Sequence, residues 1–406
     1  MHELRTITED EVGAFWTAMA TGFLNPNGSG DAEVRRPGMH LDRTFAAFDG
    51  ARIVATLRSF PTELTLPGGA TVPASAVTAV TTTATHRRRG LASRLVRHDL
   101  AASVERGEPV SVLIAAEWPI YGRFGYGAAT EHQTWTVDRK LARLRDRPQG
   151  TVEFVDRDTA RATLPPLFER HRLRSPGEIT RTDRYWDLDH GIVRIPSWGD
   201  PKPAFHVVAR DPAGEVVGAA RYTVENKWTD RQPVGTVELQ TMYTTGPRGD
   251  LLLWDHLLSL DLARTVQAGD RPVDDTLPWL LLDARHARAS ERFDALWARV
   301  CDVPAVLGAR TYGVPGTLIL EVVDPAGYAE GRFALDGGPF GATCTPTTES
   351  ADLTIGVSAL GSILLGGYPV RTLAAAGLVD EHSAGAVARA TRMFAADRAP
   401  WCTTWF

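Results

Sequence analysis

Three consecutive arginines, Arg87-Arg88-Arg89, stand directly before Gly90-Leu91-Ala92. A run of small and β-branched residues, Ala76–Thr82, precedes them and reads as a strand. After them, Leu91, Leu95, Val96, Leu100 and Val104 repeat as one face of a helix over 91–105, which Gly107 ends. A strand, a basic turn and a helix start together make an anion site. The first N–H groups of a helix have no internal partner, and the helix dipole is positive there. Small residues at 90 and 92 let a pyrophosphate approach the backbone closely. One glycine is too few for the dinucleotide fingerprint, and no Gly-Lys-Ser/Thr follows as in a P-loop. The plain alternative is a solvated basic turn. Downstream of the apolar run Val110–Ala116, a buried strand, comes Tyr121-Gly122-Arg123-Phe124-Gly125-Tyr126. A phenol with an ordinary pKa of about 10 stays protonated at neutral pH and can donate; a core aromatic is the other reading. At the far end, Trp401, Trp405 and Phe406 ask for burial, unlike the polar residues usual at a frayed terminus. His86 is read as shaping the basic turn. Asp283, Arg285 and His286 lack an accompanying nucleophile and are read as surface or interdomain residues.

The elements that must hold these groups follow from pattern. Thr8 and Glu11 form a capping box ahead of a helix carrying Phe15, Met19 and Phe23, and Asn25–Asp31 is a polar, Gly-rich loop. Phe45–Phe48, Ile53–Leu57 and Glu63–Leu66 read as strands, with Asp49-Gly50 as a hairpin turn. The charged stretch Asp138–Arg147, ending in Pro148-Gln149-Gly150, marks a boundary. Beyond it, strands are expected at 205–209, 216–222 and 237–243, an apolar helix at 251–262 and a short buried strand at 279–282. This strand–loop–helix–strand order echoes residues 76–116. A third segment carries strands at 316–323, 332–335 and 352–355 and helices at 357–365, 371–376 and 383–395.

The chain has 406 residues, 43% hydrophobic and 23% charged, which excludes global disorder and implies two to four domains. Its net charge of −5 gives no global attraction to nucleic acid or an anionic membrane. No apolar run is long enough for a transmembrane helix and no signal-peptide profile opens the chain, so the cytoplasm is the expected compartment. Three scattered cysteines offer neither a zinc site nor a disulfide framework, and no metal is expected.

Arg87-x-x-Gly90-x-Ala92 between strand and helix resembles motif A of the GNAT N-acetyltransferases, and Tyr121-x-x-x-Gly125-Tyr126 resembles their downstream tyrosine motif. The runs 85–91 and 120–127 resemble more narrowly the Eis (enhanced intracellular survival) acetyltransferases. So do Gly331-Arg332-Phe333-Ala334-Leu335, Cys344-Thr345-Pro346-Thr347, Leu360-Gly361-Ser362 and Leu373-Ala374-Ala375-Ala376. That resemblance implies a mixed α/β chain: a GNAT domain at 1–138, a degenerate GNAT-like domain at 139–293 and a sterol carrier protein-like domain at 294–406. It implies acetyl-CoA on Val80, Thr82, Arg87, Arg88, Gly90, Leu91, Ala92 and Ala116. A backbone N–H near Val80 would hold the thioester oxygen in the gap between two splayed strands. The general acid falls on Tyr121, and the carboxylate of Phe406 is the general base. The acceptor would be a small polyamine or aminoglycoside-like amine and the assembly a hexamer. The central counterpart of the phosphate loop, 244–250, has one arginine and Asp250 near its helix start, which would repel a phosphate. Two substrate-pocket positions depart from the family pattern. Asn25 and Trp405 stand where acidic residues are expected, and both changes remove charge that a polycation would need. A protein lysine acetyltransferase and a non-catalytic CoA or apolar-ligand binder are the rival readings.

Overall fold

The computed structural model describes residues 2–26 and 31–406; positions 27–30 of the polar loop expected at 25–31 lie outside them. Strand β1 (Glu3–Thr6) leads to the capping box of Thr8 and Glu11, which opens a single 3-10 turn running into α1 (Val12–Gly22). Phe15 and Trp16 are buried, whereas Phe23 is exposed because the helix ends one residue before it. After the short α2 (Ala32–Arg35), β2 (Thr44–Asp49) and β3 (Arg52–Thr65) turn tightly at Gly50. The two strands expected at 53–57 and 63–66 are one long strand. Beyond Arg58 it has no partner in β2, and Pro61 is tolerated in a strand with an open edge. Then follow β4 (Thr71–Thr82), α3 (Leu91–Glu105), β5 (Val110–Ile114), α4 (Trp118–Tyr121), β6 (Gly127–Ala128) and β7 (Glu131–Asp138). Helix α3 buries Leu91, Leu95, Val96 and Leu100 against this sheet; Val104, at its end, stays at the surface.

The middle of the chain holds β8 (Thr151–Val155), α5 (Arg157–Arg172), α6 (Asp183–Asp189), β9 (Phe205–Arg210), β10 (Val216–Val224), a small hairpin β11 (Trp228–Thr229) and β12 (Gln232–Pro233), and β13 (Thr236–Thr244). Next come α7 (Pro247–Leu258), β14 (Thr265–Pro272), α8 (Leu277–Leu280), β15 (Ala287–Asp294) and β16 (Leu296–Val300). The strand parallel to β13 is β14, not the expected 279–282. Pro278 opens the helical turn α8 instead, and Trp279 and Leu282 face solvent. The last part holds α9 (Val303–Ala309), β17 (Gly316–Val323), β18 (Gly331–Gly338), β19 (Gly341–Pro346), β20 (Leu353–Gly356), α10 (Val357–Leu364), α11 (Val370–Ala375), β21 (Val379–Glu381) and α12 (Ala386–Phe394).

Three main sheets result, in the orders β1-β2-β3-β4-β5-β16-β6, β15-β7-β14-β13-β10-β9-β8 and β19-β18-β17-β20-β21. They do not respect the boundaries expected at 138 and 293. Strand β7 leaves the first segment to sit inside the second sheet, and β16 returns from residue 296 to pair along the whole of β5. All five residues of β16 are buried, Arg299 included, because its guanidinium donates to Asp324 at 2.7 Å. Helix α10 lies against this junction. A Cβ on Gly361 would stand 2.2 Å from the Ala298 carbonyl oxygen, so the Leu-Gly-Ser run there marks a close backbone approach. One apolar core consequently runs from Ala76 and Val112 through Ala298 to Val306, Leu320 and Leu360.

Candidate active site

Strands β4 and β5 are parallel neighbours from Ala74–Val110 only as far as Val77–Leu113. On its other side β4 pairs with β3 through Arg58–Thr78 and resumes at Thr56–Thr81, leaving Ala79 and Val80 opposite Leu57 alone. This is a β-bulge, with Ala79 at φ +55 and its carbonyl accepting from Thr56 Oγ1 at 2.8 Å. The last residues of β4, Val80 and Thr82 among them, thus face β5 without pairing to it. Ala116 is exposed just beyond the end of β5. The strands part here, beyond Val77 and Leu113.

The turn after β4 is braced from below. His86 is buried, with Nε2 3.2 Å from Asp49 and Nδ1 2.9 Å from the Thr85 hydroxyl. The contact with His86 holds the Asp49 carboxyl below its usual range. Arg87, Arg88 and Arg89 are exposed, and Arg88 and Gly90 adopt left-handed backbone conformations. No side chain caps α3; of its opening groups, the Gly90 carbonyl accepts from Arg94 N–H at 3.0 Å. A Cβ at Gly90 would meet nothing within 4 Å. Open space, unspent N–H groups and three arginines suit an anionic diphosphate. The side chain of Leu91 is in the core, while Ala92 is half-exposed. The central counterpart differs. Asp250 is buried in the first turn of α7, accepting from Thr244 Oγ1 at 2.8 Å, and Gly249 packs on the Val217 carbonyl.

Tyr121 ends the one-turn helix α4, buried with its ring 6.1 Å from that of Tyr126. The two hydroxyls are not equivalent. Tyr126 is tied to Ser111 Oγ at 2.7 Å, whereas no hydrogen bond joins the Tyr121 hydroxyl to another described residue. Burial, with the Glu117 carboxylate adding to it, raises the Tyr121 pKa. A phenol with its pKa raised is a donor at neutral pH, and no described residue takes its hydrogen bond.

The chain's end comes to the same sheet. The Phe406 ring lies edge-on to Phe60, 5.4 Å between centroids, and Phe60 is paired with Ala76 of β4. The approach is fixed by residues that no local motif announces. Glu178, fully buried, accepts from Thr403 N–H at 2.7 Å and from the Thr403 and Thr404 hydroxyls at 2.6 Å each. Arg181 donates to Thr404 Oγ1 and Thr403 Oγ1 at 2.8 Å each and to the Tyr243 hydroxyl at 2.7 Å. Trp401 is buried and donates to the Asp270 carbonyl at 2.7 Å. Trp405, expected to be buried, is 72% exposed: once its neighbours on both sides are anchored, its side chain is left pointing outward. Asn25 is exposed just past α1, its N–H donating to the Ala20 carbonyl at 2.8 Å. Trp16 is buried, and Trp118 is exposed against Trp297.

Comparison with known proteins bears on this geometry. Residues 3–129 and 177–302 match acetyltransferase (GNAT) domain families, and residues 303–403 match the sterol carrier protein domain. An uncharacterized N-acetyltransferase of Streptomyces avermitilis is 43% identical, covering 100% of this chain and 98% of its own. The N-acetyltransferase Eis of Mycobacterium tuberculosis is 32% identical over 96% of each chain. The crystal structure of Eis1 from Mycobacterium abscessus, 29% identical, superposes over the whole of both chains with a TM-score of 0.88.

Proposed function

The chain belongs to the Eis-type GNAT N-acetyltransferases, and from that premise we propose that it moves the acetyl group of acetyl-CoA onto a small-molecule amine, with Tyr121 as general acid. The observation that carries the assignment is the unclaimed Tyr121 hydroxyl beside the opened strands, contrasted with the engaged hydroxyl of Tyr126. When bound, acetyl-CoA supplies an activated thioester. Arg87, Arg88 and the N–H groups after Gly90 would hold its diphosphate, and Val80, Thr82, Ala92 and Ala116 would flank the rest. The bulged backbone at Ala79–Val80 would orient the acetyl oxygen, and the Tyr121 O–H would deliver a proton to the departing sulfur.

The Phe406 carboxylate is proposed to receive the amine proton. An ordinary terminal carboxylate, with a pKa of about 3.3–3.7, is a weak base at neutral pH. Its value would then lie chiefly in orienting an ammonium and drawing off its proton. The Phe60 contact and the Thr403–Thr404 clamp support that placement. Residues Asn25 and Trp405 carry no charge toward a polycation, so the acceptor is proposed as an amine of small size without commitment to the aminoglycosides. A hexameric assembly belongs to the same proposal and is read by light scattering. The testing experiment is thiol release from acetyl-CoA with a panel of small amines and a lysine peptide. Turnover with small amines and none with the peptide is expected; turnover with the peptide alone would replace this reading by protein acetylation, and failure to bind acetyl-CoA would remove it.

A further inference from the structure

Arg58 lies on β3 opposite Thr78, at the last paired position before the bulge. Its guanidinium carbon is 5.6 Å from the Trp16 ring and 5.9 Å from the Phe60 ring, the ring that Phe406 touches. The cation and the chain's end therefore lie on the same aromatic ring. What it lacks is an anion. Its Nε is sealed from solvent without a partner, and no hydrogen bond joins its half-buried guanidinium to another described residue. The charge acting on it is another cation, Arg35, 4.6 Å from the same Trp16 ring. Burial pushes Arg58 down to about 10, and Arg35 adds in the same direction. Arg35 has its own counter-ion in Asp31, at 3.4 Å, and Asp31 also accepts from the Ser197 N–H at 3.0 Å.

A guanidinium carries five N–H donors in a planar fork matched to a carboxylate or phosphate. Ring faces attract its charge but accept little from its N–H groups. Burying such a group without an acceptor is costly unless a bound molecule provides one. We propose that Arg58 is an anion anchor, so that the acceptor is a zwitterionic amine: its amino end is acetylated, and an anionic group at its other end pairs with Arg58. This names the substrate class of the acetyl transfer proposed above and rests on it.

Acceptors of equal length that differ only at the far end decide the matter. Pentylamine, 1,5-diaminopentane, 5-aminopentanoate and the matching aminoalkyl phosphonate, with shorter and longer members of each series, are compared by kcat/KM. The anionic amines are expected to exceed both the neutral amine and the diamine by at least about tenfold, because a site built to pair a charge discriminates against partners lacking it. The carboxylate and phosphonate arms identify which anion is preferred. In Arg58→Gln, shown folded by retained acetyl-CoA binding, the ratio of anionic to neutral acceptor is expected to fall to about one, with Arg58→Lys between the two. Preference for the diamine, or a ratio unchanged in Arg58→Gln, overturns the anchor. If acetyl-CoA binds and no amine is acetylated, the transfer reading itself falls. The anchor is then read by calorimetry with 5-aminopentanoate: binding lost in Arg58→Gln upholds it, and equal or absent binding in the two proteins overturns it.

Discussion

Tyr121 and Tyr126 sit five residues apart on one motif, yet their hydroxyls have different fates. Tyr121→Phe is expected to lower kcat by about 10²–10⁴, as for a lost acid catalyst, with the acetyl-CoA dissociation constant unchanged. Tyr126→Phe removes the bond to Ser111 and is expected to cost about 1 kcal/mol of stability in denaturant unfolding while leaving kcat within a few-fold. The raised pKa of Tyr121 also fixes a pH dependence. The acid stays protonated below its folded pKa, which lies above the ordinary value of 10, so an alkaline loss of kcat centred below 10 would belong to another group. The motif exposes Tyr121 in the sequence because the neighbouring glycines and aromatics are contiguous with it. Glu178 and Arg181 leave no such trace. Their partners Thr403 and Thr404 lie more than two hundred residues away, and a lone Glu or Arg in a loop reads as solvated. Arg58 is hidden differently: it stands mid-strand among Ala55, Thr56, Leu57 and Ser59, and nothing in that local pattern shows that its guanidinium goes unpaired.

At the scale of elements, the junction of β4 with α3 is a local design and was legible as one. The helix bounds, the capless start and the small residue at 90 all lie within thirty residues. Gly90→Asp is expected to abolish acetyl-CoA binding in calorimetry while the fold persists. A carboxylate would repel the diphosphate, and a left-handed residue other than glycine adds strain. Strand β14 is faint in the sequence because only Val266 and Ala268 supply apolar alternation before its register shifts at Gly269–Asp270, with Asp270 at φ +51, whereas the continuous apolar run 279–282 imitates a buried strand. Helix α5 carries a second prediction. Burial holds the His171 imidazole well below its ordinary pKa, packed on Trp401 and bonded to the Thr244 carbonyl at 2.9 Å. Below pH 6.5 the unfolded chain takes up this proton before the folded one does. Stability should therefore fall as the pH drops from about 6.5, by at most about 1.4 kcal/mol per unit from this group. Thermal unfolding of His171→Gln should show a shallower slope in that window.

For the whole molecule, the chain's end is carried back to the first sheet, where Phe406 meets Phe60. Adding a single glycine after Phe406 is expected to abolish acetyl transfer without disturbing folding or acetyl-CoA binding, since the clamp on Thr403 and Thr404 fixes how far the chain can move. A C-terminally extended enzyme with unaltered kcat/KM would remove Phe406 from the mechanism. The strand exchange has a further consequence, in time rather than in space. A ribosome adds about 5–20 residues per second. Strand β5 is complete at Ile114, but the strand that covers its edge ends only at Val300. For about ten to forty seconds of synthesis the nascent sheet carries a bare edge, open to pairing with other growing chains on the same message. The part of the protein translated first is among the last to be finished, and a chain cut anywhere between residues 114 and 300 carries the 87–92 turn on a sheet whose β5 edge is not fully covered.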